Sequence, residues 1–129
     1  MILLDTHVLL WLVLGDSRLK PSVRRRMTAA RDIGVSSISF WEVAMLVRLG
    51  RIRAVEPVAG WRAAVLSLGI LDVPIEGEIA WQAGAMEHAH GDPADRLIMA
   101  TALVRAAPLV TADHAILRHR DRLTVIDAR

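Results

Sequence analysis

With 129 residues, 53% of them hydrophobic and 23% charged, the chain has the material for one domain around a single core, and disorder is excluded. It has no cysteine, which excludes disulfides, thiolate metal sites and cysteine nucleophiles, and fits a reducing compartment. A formal net charge of +2 is too small to imply nucleic acid by itself.

Ile2–Leu4 is a short apolar run ending at Asp5, the pattern of a buried strand. Val8–Leu14 reads as a helix stopped by Gly15-Asp16, far short of the ~20 residues of a membrane span. The opening Met1–His7 lacks the basic and apolar regions of a signal peptide. The expectation is a soluble cytoplasmic protein with no membrane partner.

Pro21–Ala30 is a predicted helix with proline in its first turn. Val35–Ile38 is a second strand candidate, and Ser39–Leu49 a helix, with Trp41, Met45 and Leu49 at four-residue spacing. Pro57–Leu68 is the next helix, followed by a strand at Ile70–Val73 and a helix at Glu76–His88. A turn at His90–Pro93 leads into a helix over Pro93–Ala106. Leu109-Val110 and Leu123–Ile126 complete the set as short strands. Alternating apolar strands and helices imply an α/β fold, with a mostly parallel central sheet flanked by helices, as one domain over residues 1–129.

Acids recur where such a sheet ends. Asp5 follows the first strand, Glu42 lies in the first turn of the Ser39 helix, Asp95 in that of the Pro93 helix, and Asp113 follows Leu109–Ala112. In open parallel sheets ligands bind beyond the carboxyl ends of the strands. Each acid also has a capping reading. Ser39 and Glu42 match a capping box, Asp92 and Asp95 mimic one, and Asp5 and Asp113 suit N-caps. As a set they would crowd negative charge, which a hard divalent cation such as Mg²⁺ relieves through oxygen ligands.

The remaining chemistry is sparser. No phosphate-cradling glycine loop is present. His88 and His90, and His114 and His119, lack zinc spacing; His7, beside Asp5, is the histidine placed to approach a substrate. Lys20 is the only lysine, and arginine clusters at 24–26 and 31, at 48, 51 and 53, and at 118, 120 and 122 suit either phosphate or solvated helix faces. The four tryptophans, with Met45-Leu46 and Leu12, either fill the core or line a partner groove; core filling is the expectation.

Four segments resemble one family in its own order. They are Met1-Ile-Leu-Leu-Asp-Thr-His, Val35-Ser-Ser-Ile-Ser-Phe-Trp-Glu-Val-Ala, His90-Gly-Asp-Pro-Ala-Asp-Arg-Leu-Ile-Met-Ala-Thr-Ala and Leu109-Val-Thr-Ala-Asp. Together they are similar to the PIN-domain family, and within it to the VapC-type toxins of toxin–antitoxin pairs. The resemblance implies that Asp5, Glu42, Asp95 and Asp113 bind Mg²⁺ or Mn²⁺ and support endonucleolytic cleavage of a transfer or ribosomal RNA. It also implies a VapB-type antitoxin and a homodimer. Where many relatives carry an aromatic residue before the third acid, this chain has Ala94.

In the mechanism this suggests, Asp5, Asp95 and Asp113 hold the ion and Glu42 orients or deprotonates water. Thr6 either adds a hydroxyl behind the ligands or caps a helix, and Asp92 is a cap before it is a ligand. Arg96 contacts phosphate or pairs with a carboxylate. Two alternatives stay open: a non-catalytic binding module of the same fold, and a stand-alone RNA-processing nuclease with no antitoxin.

Overall fold

A run of three buried residues at the start of the chain organises the whole molecule. In the computed structural model, which describes residues 1–53, 58–87 and 91–129, β1 (Ile2–Leu4) lies at the centre of a five-stranded sheet. Its side chains alternate between the faces, as strand geometry requires. Ile2 and Leu4 join Val8, Leu9, Trp11, Val23 and Met27 on one side, while Leu3 joins Ile98, Met99, Leu109 and Ile116 on the other. Both faces are therefore apolar, the signature of a parallel strand covered by helices on each side.

The sheet order is β3 (Leu71–Val73), β2 (Ile33–Ser36), β1, β4 (Leu109–Thr111), β5 (Val125–Asp127), and every pairing is parallel. The chain thus moves outward from β1 in one direction through β2 and β3, then returns to the other side of β1 for β4 and β5. The order reverses between β1 and β4. A crevice opens at such a point, beyond the carboxyl ends of the two strands.

The helices are α1 (Thr6–Leu14), α2 (Pro21–Thr28), α3 (Ser37–Arg48), α4 (Trp61–Ser67), α5 (Gly77–Ala85), α6 (Pro93–Val104) and the single turn α7 (His114–Leu117). The expected α/β architecture is the one observed, and most element ends lie within two residues of the prediction, the usual scatter. Among the described residues no helix is long and apolar enough to cross a membrane.

Several expectations are corrected. β2 covers 33–36 rather than 35–38, because its register is set by pairing Ile33, Gly34 and Val35 with β1. Helix α3 consequently starts at Ser37 with Ser36 as its N-cap, whose hydroxyl accepts from the Ile38 N–H. Ser39 is not the cap and Glu42 is not in a capping box.

α4 begins at Trp61 after Gly60, whose φ of 82° is outside helical values; residue 57, where that helix was expected to start, lies outside the described residues. α5 ends at Ala85 rather than His88, because Met86 turns to an extended ψ of 112°; His88 itself, like His90 of the turn, lies outside the described residues. The single turn α7 follows Asp113, where the cap reading implied a helix, and the last strand runs 125–127 rather than 123–126 because its partner β4 fixes the register. Trp11 is buried as expected, but Trp41 and Trp81 are 56% and 76% exposed.

Candidate active site

Three chain segments deliver acids to the β1/β4 crevice, and each does so through a helix N-terminus. Asp5 leaves β1 and caps α1, its Oδ1 accepting from the Thr6 N–H at 2.8 Å. Asp113 leaves β4 and caps α7, its Oδ1 accepting from the Ala115 N–H at 2.7 Å. Asp92 caps α6, accepting from the N–H groups of Ala94 (2.9 Å) and Asp95 (3.4 Å), which sets Asp95 in the first turn. The caps expected at Asp5, Asp92 and Asp113 are all present, and they supply four orphan N–H groups with acceptors.

Glu42 arrives differently. With α3 starting at Ser37, it sits beyond the first turn and receives the Thr6 hydroxyl at 2.5 Å. Thr6 Oγ1 is also 2.9 Å from Ser39 Oγ. Thr6 has one proton, so toward an ionised Glu42 it donates that proton and accepts from Ser39. Thr6 therefore belongs behind the acids; the cap of α1 is Asp5.

Thr111 makes the corresponding link on the other side and was not singled out from the sequence. Its hydroxyl donates to Asp5 Oδ2 at 2.7 Å and accepts the Asp113 N–H at 3.0 Å. Both oxygens of Asp5 are thus engaged, and Asp5 and Asp113 are joined through one buried side chain. The signal was present as a threonine at a buried strand end two residues before an acid, a local side-chain-to-backbone motif.

The electrostatics follow from this crowding. Burial pushes the Asp5 carboxyl up, and its bonds from Thr111 and Thr6 and the nearby His7 act against that rise, while Asp113 adds to it. Glu42 is likewise raised by burial, opposed by the Thr6 hydroxyl, with Asp5 and Asp92 pushing further upward. Asp95 is pushed up to about 8, first by burial and then by Asp5, Asp92, Asp113 and Glu42. All four acids expected from the sequence therefore share one field, together with Asp92.

Two clefts border the cluster. One, of ≈ 340 Å³, is lined by Asp5, His7, Trp11, Arg18, Asp113 and Arg129. The other, of ≈ 420 Å³, is lined by Ile38, Trp41, Glu42, Met45, Asp92 and Pro93. Arg96 has a structural duty: its guanidinium donates to the carbonyls of Ala83, Gly84 and Met86 at the end of α5.

The donor set fits a hard cation. It consists of carboxylate oxygens in a region where burial and like charge disfavour ionisation, the condition a divalent ion reverses. Among the described residues no three acidic or histidine side chains are already drawn into a metal cage. An ion that takes few carboxylates and keeps several waters suits that spacing, as Mg²⁺ does.

Comparison with known proteins agrees with the topology. The chain is 36% identical over 120 residues to Ribonuclease VapC22 of Mycobacterium tuberculosis, covering 92% of each chain. A toxin–antitoxin complex from Klebsiella pneumoniae contains a chain of the same fold, with TM-score 0.70 and 19% identity over 100% of this chain and 98% of the other. VapBC2 from Rickettsia felis, bound to a promoter DNA fragment, aligns with TM-score 0.68 and 16% identity over 98% and 96% of the two chains. With residues 2–123 matching the PIN domain and a curated relative of that identity along nearly its full length, the chain belongs to the PIN-domain family.

Proposed function

We infer that this protein is a divalent-metal-dependent endoribonuclease, the toxin of a VapBC-type toxin–antitoxin pair, acting in the cytoplasm on a structured transfer or ribosomal RNA. The observation that carries the reading is the carboxylate field at the β1/β4 crevice, in which Asp95 is pushed up to about 8. Support for RNA as substrate comes from the relative named a ribonuclease. Support for an antitoxin comes from the toxin–antitoxin complexes among the similar folds.

Asp5, Asp95 and Asp113 would hold Mg²⁺ or Mn²⁺ directly or through water. When bound, such an ion makes water more acidic and neutralises charge on phosphoryl oxygens. Glu42 accepts the proton of the attacking water, steadied by the Thr6 hydroxyl. Thr111 holds Asp5 in its rotamer through Oδ2. His7, exposed at the cleft that Asp5 and Asp113 line, would stand beside a substrate bound there. The cleft with the exposed Trp41 and the half-buried Met45 beside Glu42 is where an antitoxin segment would cover the site, and a homodimer is the expected unit.

Purified chain, freed of any partner, should cleave structured RNA with Mg²⁺ or Mn²⁺ and stop with EDTA. Asp5→Asn should abolish cleavage in a folded protein; full activity in that variant would overturn the assignment. A binding module of the same fold would show no saturable thermal stabilisation by Mg²⁺. A stand-alone nuclease would cleave RNA but have no small antitoxin gene beside its own.

A further inference from the structure

Two arginines that stand far apart in sequence meet over one indole ring at the mouth of the Asp5–Asp113 cleft. The Arg18 guanidinium lies 5.0 Å, and that of Arg129 5.6 Å, from the centroid of Trp11. The fold brings each there by a specific device. Gly15, in the left-handed region at φ 67°, ends α1 and turns the chain so that the Asp16 N–H bonds the Trp11 carbonyl, returning Arg18 over the ring. On the other side, the Ala128 N–H donates to the Thr111 carbonyl and the Ala128 carbonyl accepts from Lys20, which continues the strand past β5 into the crevice. Arg129 therefore projects at the same edge as Asp113.

We propose that Arg18 and Arg129, carried on Trp11, are the positioning residues that seat the phosphate backbone of RNA beside the carboxylate cluster. This rests on the ribonuclease reading above. A polyanion approaching Asp5 and Asp113 meets like charge, and the arginines lining this cleft are these two. Arg18 is pre-oriented, because Asp16 takes its Nε–H at 3.2 Å and one Nη2 proton at 2.8 Å and leaves the Nη1 edge for a ligand. Among the described residues no carboxylate pairs with the Arg129 guanidinium; Asp127 Oδ1 accepts the backbone N–H of Arg129 at 3.1 Å. Both guanidiniums line the one cleft, and a phosphate there would offer its oxygens to their planar N–H pairs.

Three other arginines are committed elsewhere: Arg62 to Asp72, Arg105 to Glu76, and Arg24 to the Leu12 and Asp16 carbonyls.

The test measures kcat and KM for a fluorophore-labelled, hairpin-containing oligoribonucleotide with Mg²⁺ at stepped salt concentrations, using wild type, Arg18→Gln, Arg129→Gln, the double variant and the two lysine variants. Each glutamine variant should raise KM several-fold with kcat within about twofold. Each should also flatten the dependence of log kcat/KM on log salt by about 0.7 to 1, the share of one phosphate contact. The lysine variants should keep the salt slope while KM rises. Melting temperatures near wild type separate this from loss of the Trp11 packing.

Unchanged KM and slope in both glutamine variants would overturn the proposal and leave the ribonuclease reading standing. A fall in kcat with KM unchanged would also overturn it. A wild-type chain that cleaves nothing with Mg²⁺ would remove both.

Discussion

Replacing Asp95 by asparagine should make the metal-free protein more stable while destroying its activity. The Asp95 carboxyl is displaced from 3.8 to about 8 by burial and by Asp5, Asp92, Asp113 and Glu42. An acid whose pKa is raised by folding binds a proton more tightly in the native state. Its ionisation therefore opposes folding, from zero below 3.8, growing through the interval, and levelling off above about 8. Full conversion gives a ceiling of roughly 6 kcal/mol. Water reaches this half-buried carboxyl, and screening reduces the expected value to about 2 kcal/mol.

Asparagine keeps the shape and removes the charge. For a chain of this size, about 2 kcal/mol corresponds to roughly 6–10 °C in Tm. Thermal denaturation in EDTA should show the variant above wild type at pH 9, with the gap closing as pH falls toward 5. Added Mg²⁺ should reverse the order, because an ion at 100 times its Kd stabilises the wild type by about 2.7 kcal/mol and the variant far less. Equal stability of the two proteins at pH 9 in EDTA, or equal stabilisation of both by Mg²⁺, would refute the reasoning.

Thr6→Val deletes the hydroxyl that lowers the Glu42 carboxyl while keeping the N–H that Asp5 caps. Glu42 should then hold its proton to higher pH, moving the acidic limb of the kcat/KM profile upward by roughly one pH unit, the worth of a solvent-discounted charge-assisted bond. An unmoved limb would remove Glu42 as the base. Thr111→Val breaks the links to Asp5 Oδ2 and to the Asp113 N–H and should cost about 2–3 kcal/mol in urea unfolding, with Thr111→Ser recovering most of it. A silent Thr111→Val would show that the acids hold their places without it. Asp92→Asn should retain the cap and cleavage within several-fold, while Asp92→Ala should lose about 1 kcal/mol. Loss of cleavage in Asp92→Asn at unchanged stability would instead make Asp92 a metal ligand.

What the sequence made legible was local. Ile2–Leu4 was readable as a buried strand because all three residues are apolar and an acid follows. The caps at Asp5, Asp92 and Asp113 were readable because a cap is decided within three residues. The start of α3 was not, because Ser36, Ser37 and Ser39 all offer a capping hydroxyl, and the choice among them is made by the β1–β2 register. The role of Thr111 and the meeting of Arg18 with Arg129 were hidden for the same reason. They depend on which strands are neighbours, whereas the sequence drew the eye to arginines adjacent in the chain.

That displacement of α3 by two residues changes the argument about the acids. From the sequence, capping and catalysis compete as explanations for each carboxylate, and capping accounts for Glu42 and Asp95 almost as well as catalysis does. In the fold Glu42 caps nothing; it accepts the hydroxyl of Thr6, one residue from Asp5, and its charge is felt by Asp95. For Asp5 and Asp113 the cap that is present and the proposed catalytic role are compatible. The helix N–H groups that fix one oxygen of each carboxylate leave that group oriented toward the crevice rim, where Thr111 couples the pair. A scaffold would gain from the caps alone and would lose from gathering five carboxylates whose mutual repulsion, with burial, holds Asp95 near 8. A divalent cation would offset that repulsion, so the stability of Asp95→Asn with and without Mg²⁺ discriminates between the enzyme and the module.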